Sequence, residues 1–231
     1  MLSEFLTPIE WLAIGGYPGR IGRCRFELHR YQDALFSAAA IPFPEHLTPA
    51  VPKRRAEFLA GRHLARQVLA ALGHDGVIVA RGDDRAPIWP PGVAGALSHN
   101  SDTVLCAAHH EPGLGGVGLD VETLLAPERA EALWEGIVGG AEYAWLGEQP
   151  MAFNALLTLV FSAKESLFKA LYPQVRRYFD FHAARLVALD CAGQRFELEL
   201  LETLTAHCRA GRRFAGHFFI NSDNVTTFIH L

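Results

Sequence analysis

Two short stretches hold most of the residues able to do chemistry: Gly118-Leu119-Asp120-Val121-Glu122 and Phe161-Ser162-Ala163-Lys164-Glu165-Ser166-Leu167-Phe168-Lys169. They contain three carboxylates suited to a divalent cation and two lysines suited to phosphate. Asp120 and Glu122 alternate, so on a strand both side chains leave the same face. Two acids placed that way repel unless a cation sits between them, and oxygen-only ligands favour Mg2+, with Mn2+ as its substitute, over zinc. The competing explanation is an edge strand with two solvated acids. The glycines Gly113, Gly115, Gly116 and Gly118 would let the backbone turn tightly or approach a ligand.

Glu165 and Lys169 have i,i+4 spacing, which on an exposed helix gives only about 0.2–0.5 kcal/mol of support. Here Leu156, Leu157, Leu159, Val160, Phe161, Leu167 and Phe168 make the helix broadly apolar. Charges on such a helix need partners. A metal for Glu165 and a phosphate for Lys169 would serve, with Lys164 at the same rim or in solvent. Together the two stretches point to a magnesium-dependent transfer acting on a phosphorylated cofactor.

A second concentration of charge lies upstream. Lys53, Arg54, Arg55, Arg62 and Arg66 face a single acid, Glu57, whereas the run from Glu111 to Glu148 holds eight carboxylates against Arg129 alone. Such separation suits a protein that grips an anion at one place and a metal at another. On a helix, Arg55, Arg62 and Arg66 fall within about 40° of one another, and Arg54 about 80° from Arg62. Guanidinium forks match phosphate oxygens, although a solvated basic face is the commoner reason for any one arginine. A lone histidine is usually structural, but His99, preceded by the hydroxyl of Ser98 and flanked in sequence by this basic segment and the acidic strand, could hydrogen-bond a pyrophosphate oxygen. No Ser/His/Asp nucleophile arrangement, Walker-type loop or GxGxxG fingerprint is present.

The elements that must carry these groups read as follows. Cys24, Phe26 and Leu28 alternate with Arg23, Arg25 and Glu27, the pattern of a half-buried strand. A Pro-rich stretch from Pro42 to Pro52 leads into a helix from Lys53 to Leu72, ended by Gly73. Strands are expected at Val77–Ala80, Thr103–Ala108 and Val117–Glu122, with Arg85–Gly92 a loop because its three prolines lack ladder donors. Weak helices between Pro127 and Leu146 precede a strong one from Met151 to Tyr172, ended before Pro173. Strands follow at Arg185–Leu189, Arg195–Leu201, Phe214–Ile220 and Val225–His230. Each half holds a strand, a long helix and antiparallel strands, which predicts an α+β protein of two subdomains with a seam near residue 116.

With 231 residues, half of them hydrophobic and a fifth charged, the chain can bury a substantial core. Its net charge of −4 argues against wholesale nucleic-acid binding. Cys24, Cys106, Cys191 and Cys208 have no CxxC spacing and read as buried free thiols. The start, Met1-Leu2-Ser3-Glu4, lacks the cationic character of a signal peptide, and no apolar run approaches a membrane span. A cytoplasmic monomer that engages neither membrane nor nucleic acid is expected.

These motifs, taken in order, resemble those of the phosphopantetheinyl transferases of the surfactin and enterobactin type, the enterobactin-synthase branch above all. The resemblance rests on Gly118–Glu122 with Phe161–Lys169, on Arg54-Arg55-Ala56-Glu57-Phe58-Leu59-Ala60-Gly61-Arg62, on Ala86-Pro87-Ile88-Trp89-Pro90 and on Ser98-His99-Asn100. It covers roughly residues 50–180, with a weaker fit in the closing strands. One departure is Phe161, where many members carry Trp. It implies two similar subdomains related by a pseudo-twofold, each a small antiparallel sheet packed with a long helix, and coenzyme A held between them. Residues 1–116 would face the ribose phosphate and adenine, and residues 117–231 would carry the metal and general base.

The implied reaction moves phosphopantetheine from coenzyme A to a serine of an apo acyl, peptidyl or aryl carrier protein and releases adenosine 3',5'-bisphosphate. By position, Asp120, Glu122 and Glu165 would hold Mg2+, and Glu165 would also be the base toward the serine. Lys169, Lys164, Ser98 and His99 would meet phosphate oxygens. Arg54 and Arg62 would hold the ribose phosphate, and Arg81, Arg85, Ala86 and Pro87 would border the adenine. Two other classes compete: an idle coenzyme A-binding scaffold, and a magnesium-dependent nucleotide pyrophosphohydrolase that uses water as nucleophile.

Overall fold

The structure is a computed structural model that describes residues 2–111 and 115–231. The chain divides into two compact units, residues 1–113 and 114–231, each with its own apolar core.

Unit 1 opens with a short helix α1 (Leu2–Phe5) and strands β1 (Glu10–Leu12) and β2 (Arg20–Arg25), followed by a short helix α2 (Ala34–Ala38). The long helix α3 (Pro52–Ala70) starts with proline at its first turn, where the missing N–H costs nothing. It closes with Gly73 in the left-handed region at φ +87°, so that His74 N–H reaches back to Leu69 O at 2.9 Å. After it come β3 (Ala80–Arg81), β4 (Pro87–Ile88), β5 (Val93–His99) and β6 (Thr103–His110). The main antiparallel sheet has the order β1-β2-β6-β5. Ala56, Leu59, Ala60, Leu64, Ala65, Val68 and Leu69 of α3 are fully buried in the core shared with that sheet.

Three expectations are corrected here. The first strand runs over Arg20–Arg25 and stops before Leu28, which opens a 3-10 turn. Val77–Ile78 form no strand, and only Ala80–Arg81 pair, with Pro87–Ile88. The stretch expected to be loop therefore contains a short ladder. Gly82 N–H donates to Ala86 O at 2.8 Å, which places the neighbouring Arg81–Pro87 pair at a position without ladder hydrogen bonds. Proline's missing donor is not needed there.

Unit 2 begins with β7 (Val117–Thr123), then α4 (Pro127–Leu133), α5 (Gly140–Gly147) and the long helix α6 (Phe153–Val175). Strands β8 (Ala184–Asp190), β9 (Arg195–Leu200), β10 (Arg213–Ile220) and β11 (Asn224–His230) complete an antiparallel sheet ordered β7-β11-β10-β9-β8. Helix α6 covers this sheet with Leu156, Leu157, Leu159, Val160, Ala163, Leu167, Ala170 and Leu171, all fully buried. It also runs through Pro173, where the sequence predicts a stop, and ends at Arg176 in the left-handed region at φ +54°. Pro173 lies in the last turn, so the hydrogen bond it removes leaves only two helical residues beyond it, Gln174 and Val175. The α+β class expected from the sequence is what forms. Cys24, Cys106 and Cys208 are buried free thiols, but Cys191 is exposed.

Candidate active site

In unit 2 the acids converge because α6 lies directly on β7 and β11. Asp120 stands opposite Thr227 in the β7–β11 register, and Glu122 opposite Val225. Three buried hydroxyls fix the helix at that point: Ser162 Oγ lies 2.9 Å and Ser166 Oγ 2.7 Å from Thr227 Oγ1. Two of the glycines expected to approach a ligand, Gly116 and Gly118, instead admit this helix. A β-carbon at Gly118 would collide with the Ser166 carbonyl, and one at Gly116 with that of Ala170. Gly113 lies outside the described residues.

So seated, α6 brings Lys169 Nζ to 2.7 Å from Asp120 Oδ1 and 3.1 Å from Leu119 O. Asp120 is buried at 2 % exposure, and Glu122 and Glu165 are half-buried. Burial, reinforced by Asp120 and Glu165 and opposed by Lys169, pushes the Glu122 carboxyl up to about 7. Glu165 is raised as well, by burial first, with Lys169 opposing and Asp120 adding. Asp120 thus raises both Glu122 and Glu165 while the Lys169 ammonium opposes, so like charge gathers where β7 and α6 meet.

The donor set, all carboxylate oxygen, fits a hard divalent cation. Among the described residues, no three His, Cys, Asp or Glu side chains form a finished metal-holding group. Lys169 is the cation placed against Asp120.

Lys164 departs from its expected place. Its Nζ is buried at 2.8 Å from Glu142 Oε2 on α5 and 2.8 Å from Ile137 O, while Glu142 Oε1 accepts from Leu186 N–H at 2.7 Å. Burial pulls the Lys164 pKa down and Glu142 opposes the shift. One residue before Glu165, Lys164 points about 100° away around the helix, into the interior of unit 2 instead of toward a phosphate. A cavity of about 140 Å3 lies between α6 and the 178–181 segment, lined by Lys164, Glu165, Phe168, Tyr178, Phe179 and Phe181 among others.

In unit 1, α3 carries the basic residues to different tasks. Arg55 is committed to Asp33 at 2.6 Å and to the carbonyls of Leu47 and Thr48, and Arg66 reaches Ala40 O. Arg62 is 9 % exposed, its guanidinium 4.5 Å over the Phe58 ring. Its buried Nε has no hydrogen-bond partner among the described residues. Burial, with Arg54 and Arg81 adding and Cys106 opposing, lowers its pKa to about 10. Arg54 Nη1 donates to His99 Nε2 at 3.0 Å. Because arginine only donates, Nε2 must accept, which leaves the ring proton on Nδ1, 3.8 Å from Glu57 Oε2. Ser98 is buried beside His99 at the end of β5. Arg81 and Arg85 flank a tight turn in which Arg85 adopts φ +70° and Ala86 N–H is held by Asp84 Oδ1, next to Pro87 on β4.

Residues 43–109 match the family model for the 4'-phosphopantetheinyl transferase N-terminal domain, and residues 116–218 that for the 4'-phosphopantetheinyl transferase superfamily. The 4'-phosphopantetheinyl transferase Npt of Nocardia iowensis is 34 % identical over 182 residues, 76 % of this chain and 79 % of its own length. The chain belongs to the 4'-phosphopantetheinyl transferase superfamily.

Other members of the superfamily align with this transferase as well. Enterobactin synthase component D of Escherichia coli K12 is 38 % identical over 139 residues, 60 % of this chain and 63 % of that protein. The transferase Svp of Streptomyces mobaraensis is 32 % identical over 200 residues, 81 % and 76 % of the two chains. Within this transferase the structure groups Asp120, Glu122, Glu165 and Lys169 in unit 2, and Arg54, Arg62, Arg81 and His99 in unit 1. Sequence reasoning passed over His46, whose ring packs on Phe58 at 5.6 Å between centroids. It sits in an aperiodic Pro-rich stretch, where nothing local marks it.

Proposed function

We propose that this chain transfers the phosphopantetheine arm of coenzyme A to a serine hydroxyl of an apo acyl, peptidyl or aryl carrier protein and releases adenosine 3',5'-bisphosphate. The observation that carries the reading is the gathering of Asp120 and Glu122 on β7 beside Glu165 and Lys169 on α6, with Lys169 Nζ 2.7 Å from Asp120 Oδ1. Unit 1 supplies cations for the nucleotide end, with Arg54 and Arg62 for the ribose phosphate, His99 and Ser98 for the pyrophosphate, and the Arg81–Pro87 turn for the adenine. Unit 2 serves the reacting end.

Asp120, Glu122 and Glu165 would hold Mg2+, which when bound neutralises charge on the diphosphate as it is cleaved. Glu165, with its carboxyl pKa raised by burial, is suited to take the serine proton. The serine oxygen forms a bond to the phosphorus bearing the pantetheine. The bond from that phosphorus to the bridging oxygen breaks, and the electron pair leaves with adenosine bisphosphate. Lys169 supplies fixed positive charge beside the acids. A cytoplasmic setting agrees with this chemistry, and no helix among the described residues is long and apolar enough to cross a membrane.

The test combines the protein, Mg2+, coenzyme A and a panel of purified apo carriers, followed by intact-mass spectrometry. A phosphopantetheine mass gain on a carrier serine supports the reading. Binding of coenzyme A without product, or its cleavage in the absence of a carrier, overturns it.

A further inference from the structure

We infer that His46 is a phosphate-binding residue of unit 1, acting with Arg62 across the Phe58 ring to recognise the ribose phosphate of coenzyme A. The inference rests on the assignment of that phosphate to Arg54 and Arg62, and adds a residue that this assignment does not contain.

The first support is Arg62 itself. An arginine nine-tenths buried, with a buried Nε lacking any hydrogen-bond partner among the described residues, is costly unless an anion completes it. Phe58 occupies one face of the guanidinium, so an anion must approach from its edge. Glu57, the acid one position before Phe58, already faces Arg54, Lys53 and His99. It does not neutralise the Arg62 side of the helix.

The second support is where the fold puts His46. The 3-10 turn Glu45–Leu47 is closed by Leu47 N–H on Pro44 O at 3.0 Å. Arg55 fastens it to α3, with Nε donating to Leu47 O at 3.1 Å and Nη2 to Thr48 O at 2.6 Å. This clamp holds the His46 ring edge-on to Phe58, the same ring that Arg62 covers. The pKa of His46 is lowered, by burial first and then by Arg81, Arg54 and Arg62. Four basic groups from three segments therefore converge with no acid among the causes. A phosphate monoester, doubly charged near neutral pH, is the ligand class that suits two guanidinium forks and an imidazole N–H. Arg55 is then a positioning residue: it holds the turn and leaves the phosphate to His46.

The experiment is calorimetric titration of the whole chain with coenzyme A and with dephospho-coenzyme A, which lacks only the ribose phosphate. Wild type is expected to favour coenzyme A. His46→Gln should weaken coenzyme A by about tenfold, one charge-assisted hydrogen bond's worth, and leave dephospho-coenzyme A unchanged. His46→Phe, which keeps the packing on Phe58 without a ring nitrogen, should behave the same way and covers the case that the glutamine variant misfolds. If both variants keep the wild-type preference while Arg62→Lys loses it, His46 has no part and the arginine assignment stands. Equal wild-type affinity for the two ligands overturns the assignment and the inference together.

Discussion

Gly118 faces the backbone carbonyl of Ser166 with no room for a side chain between them. That contact lets helix α6 settle onto strand β7, and the depth of seating decides whether Lys169 reaches Asp120. Gly118→Ala should push the helix off the strand, an overpacking cost of about 3 kcal/mol and a fall in Tm on the order of 10 °C. Gly147→Ala, with open space around it, is the control and should melt within about a degree of wild type. A Gly118→Ala protein melting like wild type would remove the close contact as the determinant of helix position.

Isosteric changes at the acids separate chemistry from folding. Asp120→Asn and Glu165→Gln should each reduce carrier modification by at least about 100-fold, with thermal melts close to wild type. Near-normal turnover in either variant means that the roles given to these carboxylates are wrong.

The buried Lys164–Glu142 pair predicts a non-additive stability effect. Lys164→Met leaves Glu142 buried without its cation and should cost about 3–5 kcal/mol in urea unfolding. Adding Glu142→Gln, which still accepts from Leu186 N–H, should restore most of the loss. Any soluble Lys164→Met protein should retain its KM for coenzyme A; a large rise would put the ammonium back among the phosphate ligands.

His63 makes unit 1 sensitive to acid. Its Nδ1 is buried with no hydrogen-bond partner among the described residues, and burial, with Arg66 adding, lowers its pKa. The unfolded chain takes up a proton near pH 6.5, whereas folded His63 resists until the pH is lower. In that window the unfolded state binds more protons, so stability falls as pH falls. His63→Gln should flatten the dependence of Tm on pH as the pH falls below about 6.5. An unchanged slope assigns the acid sensitivity elsewhere.

The two long helices, the acid-bearing strand and most of the sheet of unit 2 were legible in the sequence because their periodicity is local. The shared faces of Asp120 with Glu122 and of Glu165 with Lys169 were legible too, because spacing alone puts each pair on one side of its element. What sequence could not give depends on distant partners. Lys164 is adjacent to Glu165 and equally charged, and only Glu142, on a short helix weakly marked by pattern, shows that it turns inward. Gly118 suggested room for a ligand, but its neighbour is a helix carbonyl forty-eight positions on (166 − 118 = 48). Pro173 signalled a stop, yet packing on the sheet carries α6 one turn further. His46 acquires meaning only through Phe58 and the Arg55 clamp.

The ladder joining β7 to β11 has a consequence for biosynthesis. Among the described residues, strand β7 hydrogen-bonds to β11 and to no other strand of its sheet, and Thr227 on β11 anchors the hydroxyls of α6. A ribosome makes β7 and α6 long before β11, so the nascent chain carries every acid of the centre while lacking the strand that aligns them. Competence is therefore withheld until translation reaches β11, and a prematurely terminated product would contain the whole signature yet stay inert.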